Sequence, residues 1–118
     1  MKEGEDTLDK AILKDKKVIP VESFMVWEEW FETADRIVKQ ETLSDGKWIS
    51  TVFLGINHGF YIGEPLWFET MVFPKKNDFL DLDIERYTTW EEAEEGHKRM
   101  IKKWAIKKSG RKGEISSK

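Results

Sequence analysis

The stretch on which the fold turns is Arg36-Ile37-Val38-Lys39-Gln40-Glu41-Thr42-Leu43-Ser44-Asp45-Gly46-Lys47-Trp48-Ile49-Ser50-Thr51-Val52-Phe53-Leu54. Arg36 to Thr42 reads as a strand with Ile37 and Val38 as its apolar part. Ser44-Asp45-Gly46 is a turn signal, because Asp-Gly supplies the positive φ angles a tight hairpin needs. Lys47 to Leu54 is a second strand. Trp48, Ser50, Val52 and Leu54 fall on one face, and Ile49, Thr51 and Phe53 on the other. Apolar residues on both faces predict a central strand, or one covered by a partner.

Downstream, Gly55 to Pro65 holds three glycines, an asparagine and a proline, too many breakers for regular structure. Leu66 to Phe73 alternates again: Leu66, Phe68, Thr70 and Val72 against Trp67, Glu69, Met71 and Phe73. After a polar connection from Pro74 to Asp83, Ile84 to Tyr87 is a short fourth strand. The strands join as an antiparallel meander. Thr89-Trp90-Glu91-Glu92 is a capping box, a hydroxyl at the N-cap and a carboxylate three residues on. Ala93, His97, Met100 and Trp104 then form one stripe with Ile101 beside it. Upstream, Pro20 marks entry into the fold and Ser23 is an N-cap. Phe24, Trp27, Phe31 and Ala34 recur at helical spacing.

The expected fold is therefore α+β: a three- to four-stranded antiparallel meander packed by an N-terminal and a C-terminal helix. Residues 1–19 are charged and free of aromatics. They are expected to be a disordered extension, with at most a short helix around Asp9 to Lys14. Residues 20–108 form one domain, and 109–118 a disordered basic tail. Both ends, Met1 to Lys17 and Gly110 to Lys118, are expected to be dispensable for folding.

The whole chain of 118 residues suits one domain, and six Trp, seven Phe and two Tyr give it a bulky core or binding surface. It has no cysteine, which excludes a disulfide framework, a thiolate nucleophile and a Cys-based zinc site. A net charge of −3 argues against electrostatic nucleic-acid binding. No signal peptide or membrane span is legible, so the expected place is the cytoplasm. Glu91, Glu92, Glu94 and Glu95 followed by Lys98, Arg99, Lys102 and Lys103 match the dipole of a solvated helix.

Asn57 and His58 sit in the glycine-bracketed loop, where function often lies, and both offer a donor and an acceptor. Otherwise Asn57 only permits a left-handed turn and His58 is solvated. His97 on an apolar stripe reads as a packed side chain with one satisfied ring nitrogen. His58, His97 and Glu69 lack the spacing of a metal site, and no metal or cofactor is expected. Glu69 and an arginine make a structural pair, or Arg36 and Arg86 hold a planar anion while Trp67 or Tyr87 stacks on a base. No Walker loop, G-x-G-x-x-G or G-x-S-x-G is present, and no acid, base and nucleophile converge. That points to a binder rather than an enzyme.

Three blocks in order are distinctive: Ser50-Thr51-Val52-Phe53-Leu54-Gly55-Ile56-Asn57-His58, Phe68-Glu69-Thr70-Met71-Val72-Phe73, and Arg86-Tyr87-Thr88-Thr89-Trp90-Glu91-Glu92-Ala93-Glu94-Glu95-Gly96-His97. Over roughly residues 34–104 the chain resembles a group of small, uncharacterised bacteriophage accessory proteins. The resemblance implies an infected bacterial host. By size and context the chain is similar to phage proteins that sequester nucleotide signals, which are small α+β oligomers. The expectation is an anti-defence protein that holds a nucleotide-like immune signal in a pocket formed on homo-oligomerisation. The ligand would lie among Asn57, His58, Trp67, Glu69, Arg86 and Tyr87. The alternative is an inhibitor of a host defence complex, similar to an anti-CRISPR, acting through Trp27, Glu28, Glu29 and Trp30.

Overall fold

The computed structural model describes residues 9–59 and 63–105. The elements run β1 (Ala11–Lys14), β2 (Lys17–Pro20), α1 (Phe24–Thr33), β3 (Ile37–Thr42), β4 (Trp48–Phe53), β5 (Phe68–Phe73), β6 (Asp83–Tyr87) and α2 (Trp90–Trp104). β3 to β6 make an antiparallel meander in the order β3-β4-β5-β6, as the alternation predicts, and β1 and β2 form a separate hairpin. The protein is α+β.

Ser44-Asp45-Gly46 closes the β3–β4 hairpin. The Leu43 amide donates to the Lys47 carbonyl at 2.7 Å and the Gly46 amide to the Leu43 carbonyl at 2.9 Å. Gly46 stands at φ +95°, the left-handed position that completes a three-residue loop. Thr42 then faces Trp48, Gln40 faces Ser50, and the register shifts once, between Ile37 and Lys39.

The core lies between one sheet face and the helices. Ile49, Thr51 and Phe53 of β4, Phe68, Thr70 and Val72 of β5, and Tyr87 of β6 are buried there against Ala93, His97 and Met100 of α2. α2 starts as the sequence predicts: Thr89 Oγ1 accepts from the Glu92 amide at 3.1 Å while Glu92 Oε1 accepts from the Thr88 and Thr89 amides. Its stripe of Ala93, His97 and Met100 is buried, but Trp104 is only half-buried, with its indole N–H donating to Asp83 Oδ2 at 2.9 Å.

Gly96 is buried in α2 for a specific reason. A Cβ there would stand 2.2 Å from the ring of Tyr87, so only glycine lets that ring pass beneath the helix. The Gly-His pair therefore has two jobs: residue 96 makes room for Tyr87, and residue 97 bonds into the same layer.

The N-terminal segment corrects an expectation. Residues 9–20 are neither disordered nor helical. Asp15 (φ 52°) and Lys16 (φ 69°) form a two-residue left-handed turn, and β1 and β2 pair on either side of it. The hairpin is tied to the fold. The Ala11 amide donates to the Gly55 carbonyl, the Asn57 amide to the Asp9 carbonyl, and Ala11 is fully buried. The packed domain therefore begins near residue 9, not residue 20. Residues 1–8 and the predicted basic tail at 109–118 lie outside the described residues.

Candidate functional site

The six residues expected to form one pocket occupy three places. Asn57 staples its own loop: Oδ1 accepts from the Gly59 amide at 2.7 Å and the Leu66 amide at 2.9 Å. His58 Nδ1–H donates to the Ile56 carbonyl at 3.0 Å. Trp67 is buried in the cluster of Ala11, Phe53, Phe68 and Ala93, beneath the β1–β2 hairpin. Tyr87 is buried on the helix side. Glu69 and Arg86 face the opposite side of the sheet, directly across from each other in register, and pair at 3.0 Å. By register Arg86 lies three residues along β5 from Leu66, the residue Asn57 holds. That is about 10 Å along the strand. None of the four grooves described is lined by Asn57, His58 and Arg86 together. Arg36, the other proposed anion ligand, donates to the Phe53 carbonyl at 3.0 Å and lies 4.2 Å from the Phe31 ring centroid.

The alternative surface on α1 is also rearranged. Trp27 and Trp30 anchor the helix rather than face solvent. The Trp27 indole N–H donates to the Gly55 carbonyl at 3.0 Å, and Trp30 packs edge-on against Phe53. The exposed apolar residues are Phe24, Met25 and Val26, and the exposed acids Glu28, Glu29 and Glu32 share the helix with them.

Sequence reasoning missed a row of polar side chains running through the helix–sheet layer. Glu85 Oε1 meets the Tyr87 hydroxyl at 2.8 Å, and that hydroxyl meets Thr70 Oγ1 at 3.0 Å. Thr70 meets Thr51 at 2.6 Å, and Thr51 meets His97 Nδ1 at 2.7 Å. His97 Nε2 meets Glu41 Oε1 at 2.9 Å. Arg99 braces the far end with a 3.0 Å bond to Glu85. Burial holds the His97 imidazole below its ordinary range, and the Glu41 carboxylate only partly offsets this. Burial likewise pushes the Tyr87 phenol up. The signal available in sequence was the alternation itself, which set Thr51 beside Ile49 and Phe53, and Thr70 beside Phe68 and Val72.

Thr51, His97 and Glu41 have the connectivity of a nucleophile–base–acid triad. Thr51 has no exposed surface, however, and His97 only 2 %, so no substrate carbon can approach the hydroxyl. A nucleophile must reach its substrate. This arrangement is structural. Among the described residues no group of three or more His, Asp or Glu side chains is placed to hold a metal ion. No described helix is long and apolar enough to cross a membrane.

The other sheet face is where uncommitted chemistry collects. Register places three rungs on it: Thr42, Trp48 and Phe73; Gln40, Ser50, Met71 and Ile84; Val52, Glu69 and Arg86. Each rung carries a cross-strand pair. Trp48 and Phe73 stack with ring centroids 5.8 Å apart, Gln40 Nε2 donates to Ser50 Oγ at 2.8 Å, and Arg86 pairs with Glu69. α2 packs on the reverse face, through Ile49, Thr51, Phe53, Thr70 and Val72, so this one is left open by the described helices. Comparison with protein-family models, curated protein sequences and solved structures finds no match to this chain.

Proposed function

We propose that the protein is a non-catalytic binder of a small, planar, nucleotide-like ligand, which it takes up on the open face of the four-stranded sheet. One observation carries this reading. A stacked Trp48–Phe73 pair, a Gln40–Ser50 amide–hydroxyl pair and the Arg86 guanidinium lie on adjacent rungs of one sheet face that no described helix packs against, with Ser50 and Glu69 buried between their neighbours and Arg86 exposed. Aromatic faces bind planar rings whatever their substituents, and arginine holds phosphate through its fixed fork of donors. Glu69 keeps Arg86 aimed across the strands and gives a ribose hydroxyl an acceptor. In this reading Glu69 and Arg86 contact the ligand, and Asn57, His58, Trp67 and Tyr87 do not.

Size favours a small ligand. Four strands of five to six residues present a face of about 19 by 20 Å, the scale of one nucleotide-sized ligand. A flat face covers one side of a planar ligand, yet tight small-molecule sites bury about 70–90 % of their ligand. A second copy laid face to face would supply the other wall, which makes the working unit a homo-oligomer. The resemblance to phage accessory proteins adds the context: such a binder would act as a sink for a host immune signal.

The test is native mass spectrometry and equilibrium binding with adenine nucleotides and cyclic dinucleotides as probes. Trp48→Ala and Arg86→Ala should each abolish retention with the fold intact, while Ile12→Ala on the distant hairpin should retain it. Retention by both sheet-face variants, or no retention of any probe by the parent, would overturn the reading. A second reading rests on α1, whose exposed Phe24, Met25 and Val26 beside Glu28 and Glu29 fit a protein-interaction inhibitor. Met25→Glu would separate the two, since it spoils the helix surface and leaves nucleotide retention untouched.

A further inference from the structure

The polar row through the core has fewer protons than bonds. From Glu85 through Tyr87, Thr70, Thr51 and His97 to Glu41 there are five contacts of hydrogen-bond length. Each needs one hydrogen. Tyr87, Thr70 and Thr51 carry one each, a neutral imidazole carries one, and an ionised carboxylate carries none. Four hydrogens cannot fill five contacts, so one oxygen–oxygen or nitrogen–oxygen contact is left with two acceptors facing each other. Both ends favour donation outward, from Tyr87 to the Glu85 carboxylate and from His97 Nε2–H to the Glu41 carboxylate, because charge-assisted bonds are the stronger. Thr51 then donates to His97 Nδ1. The shortage falls on Thr70, whose single hydroxyl hydrogen can serve Tyr87 or Thr51 but not both.

We propose that this row is a buried proton-binding site that couples the α2–sheet contact to pH. A fifth proton completes every bond without moving a heavy atom. It is held as a His97 imidazolium: Nδ1–H donates to Thr51, Thr51 to Thr70, Thr70 to Tyr87, Tyr87 to Glu85, and Nε2–H donates to Glu41. The hydroxyls need only rotate. The charges around the row set where the proton rests. Arg99 pairs with Glu85 at the far end at 3.0 Å. Glu41 from β3 and Glu94 on α2 favour the imidazolium, while Lys39 from β3 and Lys98 on α2 oppose it. The bond that the proton adds is one of Thr70's two contacts, to Thr51 across β4 and β5 or to Tyr87 across β5 and β6, and either lies beneath α2. Acidification therefore completes the row's hydrogen bonds at the cost of a buried, desolvated charge, and it charges the groove between β3 and α2, which His97 and Glu41 line.

Amide substitution at either end supplies the missing hydrogen covalently, and the two ends leave opposite signatures. Glu85→Gln donates to Tyr87, which turns every hydroxyl toward His97 and fixes the neutral Nε2–H tautomer. Glu41→Gln donates to Nε2, which turns every hydroxyl toward Glu85 and fixes the neutral Nδ1–H tautomer. Nitrogen chemical shifts of the His97 ring, followed from pH 8 into the acid range, read tautomer and charge together. The wild type should pass to imidazolium at a higher pH than Glu85→Gln, and the two variants should show opposite tautomers. If one variant does not fold, the tautomer of the other still decides. The same tautomer in both variants, or charging at the same pH in Glu85→Gln and the wild type, would overturn the proposal.

Discussion

Thr70→Val should cost no more than half of what its two hydrogen-bond contacts suggest, although it deletes a fully buried hydroxyl. Ordinary accounting gives each buried hydrogen bond about 1 kcal/mol, so the loss would be ~2 kcal/mol. The proton count gives a different answer. Without the Thr70 oxygen three contacts remain, Tyr87 to Glu85, Thr51 to His97 and His97 to Glu41, and three hydrogens fill them. Valine matches threonine in shape, so no cavity forms, and an unfilled contact disappears with the hydroxyl. Four filled bonds become three and no group is left unsatisfied, so the expected change is at most about 1 kcal/mol. Thr51→Val is the control. It strands the buried His97 Nδ1 lone pair and should cost about 1–3 kcal/mol. For a domain of this size that is a fall in Tm of several degrees, at about 4–8 °C per kcal/mol. Urea or thermal unfolding of both variants at pH 8, where His97 is neutral, measures the difference. Equal losses at the two threonines would refute the proton count.

Gly96→Ala should destabilise despite alanine's higher helix propensity, because its Cβ would meet the Tyr87 ring at 2.2 Å. Overpacking of this kind costs about 1–3 kcal/mol or more, and calorimetry showing no loss would refute the reason given for the glycine. Burial lowers the His97 pKa from 6.5, so the unfolded chain takes up that proton first as pH falls. Stability from this group is complete above 6.5 and declines as pH drops toward the folded value. A lower urea midpoint at pH 5.5 than at 7.5 in the wild type, flattened in His97→Gln, checks the sign; a rise on acidification contradicts it. Deleting residues 1–17 should lower Tm clearly, since it removes β1 and exposes the site that fully buried Ala11 covers. An unchanged melting curve would mean that the hairpin adds nothing to the packed domain.

Local rules made most of the fold legible. Period-two alternation at Trp48–Phe53 and Phe68–Phe73, the Asp-Gly turn and the Thr89–Glu92 box each need only neighbours in sequence, and each stands where the pattern put it. The β1–β2 hairpin was illegible because Asp15-Lys16 carries no glycine. Its two positive φ angles stand at Asp15 and Lys16, and bonds from the Ala11 amide to the Gly55 carbonyl and from the Asn57 amide to the Asp9 carbonyl tie the hairpin to a loop more than forty residues away. The candidate site divides the same way. Alternation grouped Glu69 with Trp67, Met71 and Phe73, but did not show that Arg86 stands opposite it, since register is a property of two strands. Asn57 and His58 looked like ligand groups because their side chains can bond in many ways, and only the folded loop shows the contacts they make. The buried row joins residues 41, 51, 70, 85, 87 and 97, drawn from four strands and a helix. Period-two and helical spacing grouped the residues that share each face of those elements. The tertiary structure alone decided that their few polar atoms meet in one line, because a hydrogen bond is fixed by distances of about 3 Å that no spacing along a chain encodes.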